Sequence, residues 1–122
     1  MKESFIIPGE CESKERPRFG GKGKVYTTNK TRNFEDIVGY SYGKRHYFGE
    51  RSISLTVRIF LKRPKKPKHN IPTKKDLDNM VKAVQDGLNG IAFKDDRHIG
   101  DIRASKRFSD NPRIEVVIED LA

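Results

Sequence analysis

The sequence is short of the features that mark secreted and membrane proteins. It has one cysteine, Cys11, and no tryptophan. A single cysteine cannot form a disulfide within the chain, which is typical of a reducing compartment, and it excludes a zinc site built from several cysteines of one chain. No apolar run approaches the roughly 20 residues that span a bilayer, and the run that ends at Pro8 is too short for a signal peptide. These absences predict a cytoplasmic protein that does not bind or cross a membrane.

Acidic residues are also relatively scarce. The chain has 26 lysines and arginines against 17 acids, a formal net charge of +9. This imbalance favours nucleic acid or another polyanion as partner, although a basic surface can also serve solubility alone. The length of 122 residues, 34% of them hydrophobic, predicts one domain over residues 1–122 with one lean core and one functional site.

Hydrophobic periodicity predicts an α+β domain, a mixed sheet with two helices, in the order β-α-β-α-β-β. The predicted elements are a strand at 4–7, a helix within 31–48, a strand at 51–61, a helix within 74–90, and strands at 99–108 and 113–119. A short strand is also expected at 25–27. The strand at 51–61 should be central because one of its faces is wholly apolar, and the last two strands should pair as a hairpin. An irregularity is expected near Gly100, and Asn89-Gly90 should end the second helix.

The first helix carries an apolar stripe formed by Phe34, Ile37, Val38 and Tyr42. Gly39 and Gly43 count against a continuous helix. The aromatic residues of this region are Tyr40, Tyr42, Tyr47 and Phe48. Aromatic side chains can stack on nucleic-acid bases, but aromatics at helical spacing more often belong to a core, and we favour the core.

Two basic segments are candidates for phosphate contacts. The first, at 11–24, is rich in glycine and contains Lys14, Arg16, Arg18, Lys22 and Lys24. The second, at 62–75, is interrupted by prolines and contains Lys65, Lys66, Lys68, Lys74 and Lys75. Flexible backbone and guanidinium groups suit phosphate binding, whereas the simpler alternative for both segments is a solvated loop. The second segment leads directly into an acidic helix, which favours phosphate binding.

That helix has an apolar stripe formed by Leu77, Met80, Val81, Val84 and Leu88. At about 100° per residue, Asp78, Lys82 and Asp86 follow one polar flank. Asp76 would point about 200° away from Asp78 inside a helix, so we place it at the N-cap. A capping role for Asp76 and a favourable helix dipole at Asp78 explain both acids without a metal.

Asp95 and Asp96 favour a metal site over this explanation without a metal. If the chain returns beside the start of the helix, one of them comes within reach of Asp76 and Asp78. Three carboxylates without histidine or cysteine suit Mg²⁺ or Mn²⁺, and such a site expects a phosphate substrate. Lys82 would then neutralise charge in phosphodiester hydrolysis. Otherwise it is an i, i+4 partner of acids on its own helix, worth a few tenths of a kcal/mol.

These motifs resemble the RusA family of Holliday junction resolvases. The resemblance rests on K-D-L-D-N-M-V-K at 75–82, D-G-L-N-G at 86–90 and D-D at 95–96. The opening I-P-G, the run K-E-R-P-R-F and V-Y-T are similar to members from Gram-positive bacteria and their prophages. The resemblance implies a homodimeric, Mg²⁺-dependent endonuclease that nicks opposed strands of a four-way DNA junction in recombination and repair. It also implies a bacterial source, with a prophage gene as one possibility. Mn²⁺ could substitute, and no small-molecule cofactor is implied.

By position, the resemblance makes Asp76, Asp78 and Asp96 the metal-binding acids and Lys82 the essential lysine. Asp95 remains the alternative to Asp96, because the spacing from the helix is about one residue shorter than in some relatives. Gly87 replaces a commoner alanine and is expected to matter little. A site that must cut twice also predicts two chains. Two other functions stay open, a non-catalytic protein that binds branched DNA and a nuclease for flaps or other branched DNA.

Overall fold

The computed structural model describes residues 1–14, 18–19, 25–26 and 29–121, and for 18–19 and 25–26 it describes the backbone alone. The strands are β1 (Lys2–Pro8), β2 (Arg18–Phe19), β3 (Val25–Tyr26), β4 (Ile53–Lys62), β5 (Ile99–Ser109) and β6 (Arg113–Asp120). The helices are α1 (Asn29–Tyr42) and α2 (Leu77–Leu88), and a 3₁₀ turn spans Asp96–His98. This confirms the α+β class, the predicted order and the short strand expected at 25–27, which is β3. Strand β2, which pairs with β3, is additional.

The main sheet has the strand order β1-β6-β4-β5. Strand β4 pairs in parallel with β5 and antiparallel with β6, so its predicted central position is confirmed. The predicted β5–β6 hairpin is wrong, because the two strands lie on opposite sides of β4. The unit β4–α2–β5 is a crossover that brings β5 parallel to β4, and the short turn after β5 then passes the end of β4. Alternation shows which face of a strand is buried, but it does not show which strand is its neighbour.

The core lies between one face of this sheet and the two helices. Ile53, Leu55, Val57 and Ile59 of β4 are fully buried, whereas the alternate residues of β4 are half-buried or exposed. Tyr42 and Phe48 are buried, as the core interpretation predicts. Tyr40 and Tyr47 are exposed instead, and Ile37, expected in the buried stripe, is 45% exposed. No helix in the described ranges is both long and apolar enough to cross a bilayer.

Several local predictions about glycine are confirmed. Gly90, with φ of +80°, follows the C-cap residue Asn89. Gly100 is skipped in the β4–β5 pairing, since Ile53 pairs with Ile99 and Ser54 with Asp101. In α1, however, the helix continues through Gly39 and ends just before Gly43, so the expected interruption at Gly39 does not occur.

Gly87 marks the close crossing of α1 and α2. A Cβ atom at Gly87 would lie 2.6 Å from Val38 Cβ and 3.1 Å from the Glu35 carbonyl oxygen. The expectation that glycine in place of the commoner alanine matters little is therefore wrong. We expect Gly87→Ala to lower the free energy of unfolding by up to about 2 kcal/mol, because overpacking costs about 1–3 kcal/mol and the better helix propensity of alanine offsets only about 1 kcal/mol of this.

Chemical denaturation measures this change, and Gly39→Ala is the matched control. A Cβ at Gly39 would meet the flexible end of Ile91, 2.6 Å away, and that side chain can rotate aside. We expect the control variant to keep or gain stability. Equal stability of Gly87→Ala and Gly39→Ala would contradict the prediction, because it would show that α1 and α2 can move apart at Gly87 without a loss of free energy of unfolding.

Candidate active site

The start of α2 presents two exposed carboxylates. Asp76 has the extended backbone of an N-cap residue (φ −75°, ψ 133°), and its carbonyl oxygen accepts the first helical hydrogen bond from Met80 at 3.1 Å. The predicted N-cap position is confirmed, but among the described residues the carboxylate makes no capping hydrogen bond. Asp78 lies in the first turn and is exposed. Capping by the side chain therefore does not account for Asp76.

Farther along α2, Lys82 joins the helix to the turn that precedes β5. Its Nζ lies 2.8 Å from Asp96 Oδ2 and 3.3 Å from Asp86 Oδ1, the residue one turn along. The returning chain therefore reaches the flank of α2 that carries Lys82. Asp78 lies one turn before Lys82 on the same flank.

Asp95 and Asp96 have different environments. Asp95 Oδ1 accepts a hydrogen bond from the Asp96 backbone N–H at 3.0 Å and so caps its own 3₁₀ turn, and Asp95 Oδ2 lies 3.8 Å from Arg97 Nε. Asp96 instead projects toward α2. Of the two candidates, Asp96 is thus the carboxylate that lies against the Lys82 flank.

The Lys82–Asp96 contact favours the charged form of both groups. The hydrogen bond from Lys82 lowers the pKa of Asp96 below its ordinary value, and the hydrogen bond to Asp96, with the charge of Asp86, raises the pKa of Lys82. A carboxylate held ionised in this way suits metal binding, and a lysine held protonated suits contact with phosphate.

Asp86 is held by two cations. Its Oδ2 lies 2.9 Å from Lys14 Nζ, which is also 3.5 Å from Glu35 Oε2 on α1. Partial burial lowers the pKa of Lys14, but the hydrogen bond and charge of Asp86 and the contribution of Glu35 more than offset this, so the pKa is raised. The Lys14 backbone N–H also donates to the Asn79 carbonyl at 3.0 Å. Lys14 therefore anchors the first basic segment to α2, and Asp86 is bound to lysines.

The three predicted metal ligands are not gathered around one point. In the described ranges, no group of three or more aspartate, glutamate, histidine or cysteine side chains is arranged to hold a metal ion. Asp76 and Asp78 lie at the helix start, and Asp96 is paired with Lys82. The donor chemistry nevertheless fits a hard divalent cation, because all three groups are accessible carboxylates. The metal site remains a prediction.

The predicted phosphate-binding residues fall into three groups. Arg16, Lys22 and Lys24 lie outside the described residues, and Arg18 lies in β2, where the backbone alone is described. The Lys14 side chain is paired with Asp86 and Glu35, and Lys75 Nζ donates to the Cys11 carbonyl at 2.7 Å. The third group consists of the exposed lysines predicted in the second basic segment, Lys65, Lys66, Lys68 and Lys74.

Sequence reasoning missed a row of arginines on the sheet face opposite the helices. Arg58 pairs in register with Ser105, and Arg103 and Arg107 stand on either side of it along β5. All three arginines are exposed. The alternation of β4 and β5 was the available signal, since it places these residues on the face that carries no apolar stripe.

A small α+β domain with accessible acids on one helix and an excess of lysine beside them has the features of a nucleic-acid enzyme. The comparisons with known proteins agree. The family described as Endodeoxyribonuclease RusA matches residues 8–119. The chain is also 31% identical over 136 residues to the "Uncharacterized protein YqaN" of Bacillus subtilis (strain 168), covering 97% of this chain and 96% of that protein. The chain belongs to the RusA endodeoxyribonuclease family, which confirms the resemblance found in the sequence.

Proposed function

We propose that this protein is a metal-dependent endonuclease that resolves four-way DNA junctions by hydrolysing one phosphodiester in each of two opposed strands. The observation that carries the proposal is the contact of Lys82 with Asp96, on the helix flank that also bears Asp78, in a chain of this family. This contact places the Asp96 carboxylate, a ligand suited to hard cations, against the acidic helix α2.

In this proposal Asp76, Asp78 and Asp96 hold Mg²⁺, for which Mn²⁺ can substitute, and no small-molecule cofactor takes part. The bound ion would polarise the scissile phosphate and lower the pKa of a water molecule. Asp76 is free for this role because its carboxylate does not cap the helix within the described residues. Lys82 brings an ammonium group, held protonated by its carboxylate partners, to offset the negative charge that develops on the phosphate.

The DNA backbone would be held by the exposed lysines of the second basic segment, Lys65, Lys66, Lys68 and Lys74, and by the first basic segment. Such contacts position DNA by shape and phosphate spacing and do not read sequence. We assign Lys14 and Lys75 a supporting role, because both side chains are engaged by acceptors within the chain.

Paired cuts suggest a homodimer. One chain offers one set of acids, and two symmetric incisions need two sets related by a two-fold axis. We accordingly propose a homodimer in the cytoplasm of a bacterium. The relative from Bacillus subtilis is compatible with a bacterial source, and a prophage origin stays a prediction.

Cleavage assays on labelled DNA test the proposal. We expect symmetric nicks in fixed and mobile four-way junctions with Mg²⁺, none with a chelator, and none in linear duplex of the same sequence. Salt-sensitive binding without metal-dependent nicking would favour the non-catalytic alternative. Faster cutting of flaps than of four-way junctions would make the protein a nuclease for other branched DNA.

A further inference from the structure

A cavity lies beside the candidate active site, under the segment that joins β4 to α2. Its volume is about 630 Å³, and it opens between this segment and the ends of β4 and β5. Leu61 and Phe108, neighbours across the β4–β5 pair, form an apolar wall, and Ile71 and Pro72 come from the connecting segment. Lys74 and Lys75 also line the cavity and directly precede Asp76. The cavity thus adjoins the start of α2.

The charge around this cavity is strongly positive. Six cationic residues line it, Lys62, Arg63, Lys66, Lys68, Lys74 and Lys75. Glu10 is the one acidic residue among the described residues that line it, and its Oε1 accepts a hydrogen bond from the Lys62 backbone N–H at 2.9 Å. The Arg63 guanidinium lies over the Phe108 ring, 5.8 Å from its centre. A cationic rim therefore surrounds an apolar interior.

Size and lining together select the kind of ligand. Pockets of roughly 300–1,000 Å³ hold small organic groups, and this one is far too small for a double helix. A bare phosphate would use the lysines but gain nothing from Leu61, Phe108 and Ile71. One nucleotide has both required parts, a flat base for the apolar wall and a phosphate for the rim.

We infer that this cavity binds a single unpaired nucleotide of the DNA branch, an inference that rests on the proposed function and adds a subsite to it. The base lies against Ile71 and the Arg63 guanidinium that covers Phe108, and its phosphate contacts Lys66 and Lys68. Since Lys74 and Lys75 connect the cavity to Asp76, the captured nucleotide fixes the position of the strand relative to the carboxylates. Taking a base out of the stack costs a few kcal/mol in intact duplex and less where pairing is already disturbed, so the cavity favours branched DNA over intact duplex.

Filling the cavity without changing its charge separates this inference from general attraction to DNA. Ile71→Trp places a larger side chain at the apolar wall, and Thr73→Phe, from another lining position, is an independent second variant. Ile102→Trp is the matched control, since Ile102 is an isoleucine on β5 that is also exposed and does not line the cavity. Thermal melting and circular dichroism establish that each variant is folded.

The first readout is fluorescence anisotropy with a short, labelled oligothymidylate, which requires no junction and no metal. We expect binding to weaken about tenfold in Ile71→Trp and in Thr73→Phe, the effect of losing one base contact, and to change less than about twofold in Ile102→Trp. Unchanged binding by both folded, cavity-filled variants would overturn the inference.

The second readout is the emission of 2-aminopurine placed next to the branch of a four-way junction, with chelator present. Wild type and Ile102→Trp should raise the emission as the base leaves the stack, and Ile71→Trp should not. No rise with wild type at any branch position would overturn the inference even if the junction is cut in Mg²⁺. The opposite outcome is an emission rise that Ile71→Trp abolishes, with no cleavage of the junction in Mg²⁺. It would support nucleotide binding by the cavity and refute the proposed nuclease activity.

Discussion

Asp78→Asn is expected to abolish Mg²⁺-dependent cleavage of a four-way junction while binding of the junction stays equal or becomes tighter. Asparagine keeps the shape of the side chain but loses the charge that holds a hard cation, and the rate should fall roughly 10³-fold or more. Removing a negative charge that faces DNA would, if anything, strengthen binding. Single-turnover cleavage and equilibrium binding in chelator measure the two effects separately.

Loss of folding does not explain such a result. Asp78 is exposed in the first turn of α2, where its favourable interaction with the helix dipole is worth about 0.3–1 kcal/mol. Asp36→Asn is the matched control, because Asp36 is an exposed acid of α1 and its replacement changes the net charge equally. Cutting by Asp78→Asn at the rate of this control would refute the assignment of the site.

The second large effect is expected from Lys82→Met, which should lower the rate of cleavage roughly 10²–10³-fold, the loss typical of one group that stabilises transition-state charge. The same variant should bind Mn²⁺ more tightly than wild type. The ammonium of Lys82 lies 2.8 Å from Asp96 Oδ2 and competes with a metal ion for that oxygen. Removing the lysine frees the ligand but also removes the charge that the reaction requires.

Titration with Mn²⁺, followed by calorimetry or by the relaxation of water protons, measures the gain in metal affinity independently of activity. Lys2→Met is the control, because Lys2 is an exposed lysine of β1, the strand at the opposite edge of the main sheet from β5. Weaker Mn²⁺ binding by Lys82→Met would show that Lys82 helps to assemble the metal site. Unaltered cleavage would show that Lys82 is only an ion-pair partner on the surface.

The ion pairs around α2 also suggest how the site is maintained. Glu35, Lys14, Asp86, Lys82 and Asp96 follow one another in a chain of contacts between 2.8 and 3.5 Å. This chain connects α1, the first basic segment, α2 and the turn before β5. Because Asp86 binds both lysines, it orients Lys82 and also secures the point where the first basic segment leaves the sheet.

The sequence by itself determined the features that depend on local spacing. The period of α2 placed Asp78, Lys82 and Asp86 on one flank, and the 200° separation placed Asp76 at the cap, as observed. The same kind of argument located the irregularity at Gly100, since a glycine that interrupts an alternating strand marks a bulge. Such features depend only on residues close together in the chain, so the amino-acid sequence alone is enough to predict them.

Only the tertiary structure decided what each of these elements meets. It placed β6 and β5 on opposite edges of β4, brought Val38 against Gly87, and gave Lys82 the partner Asp96 from beyond the helix. It also showed that Lys14, predicted as a DNA contact, lies between two carboxylates. These contacts join residues far apart in sequence, and hydrophobic period and charge pattern carry no information about such distances.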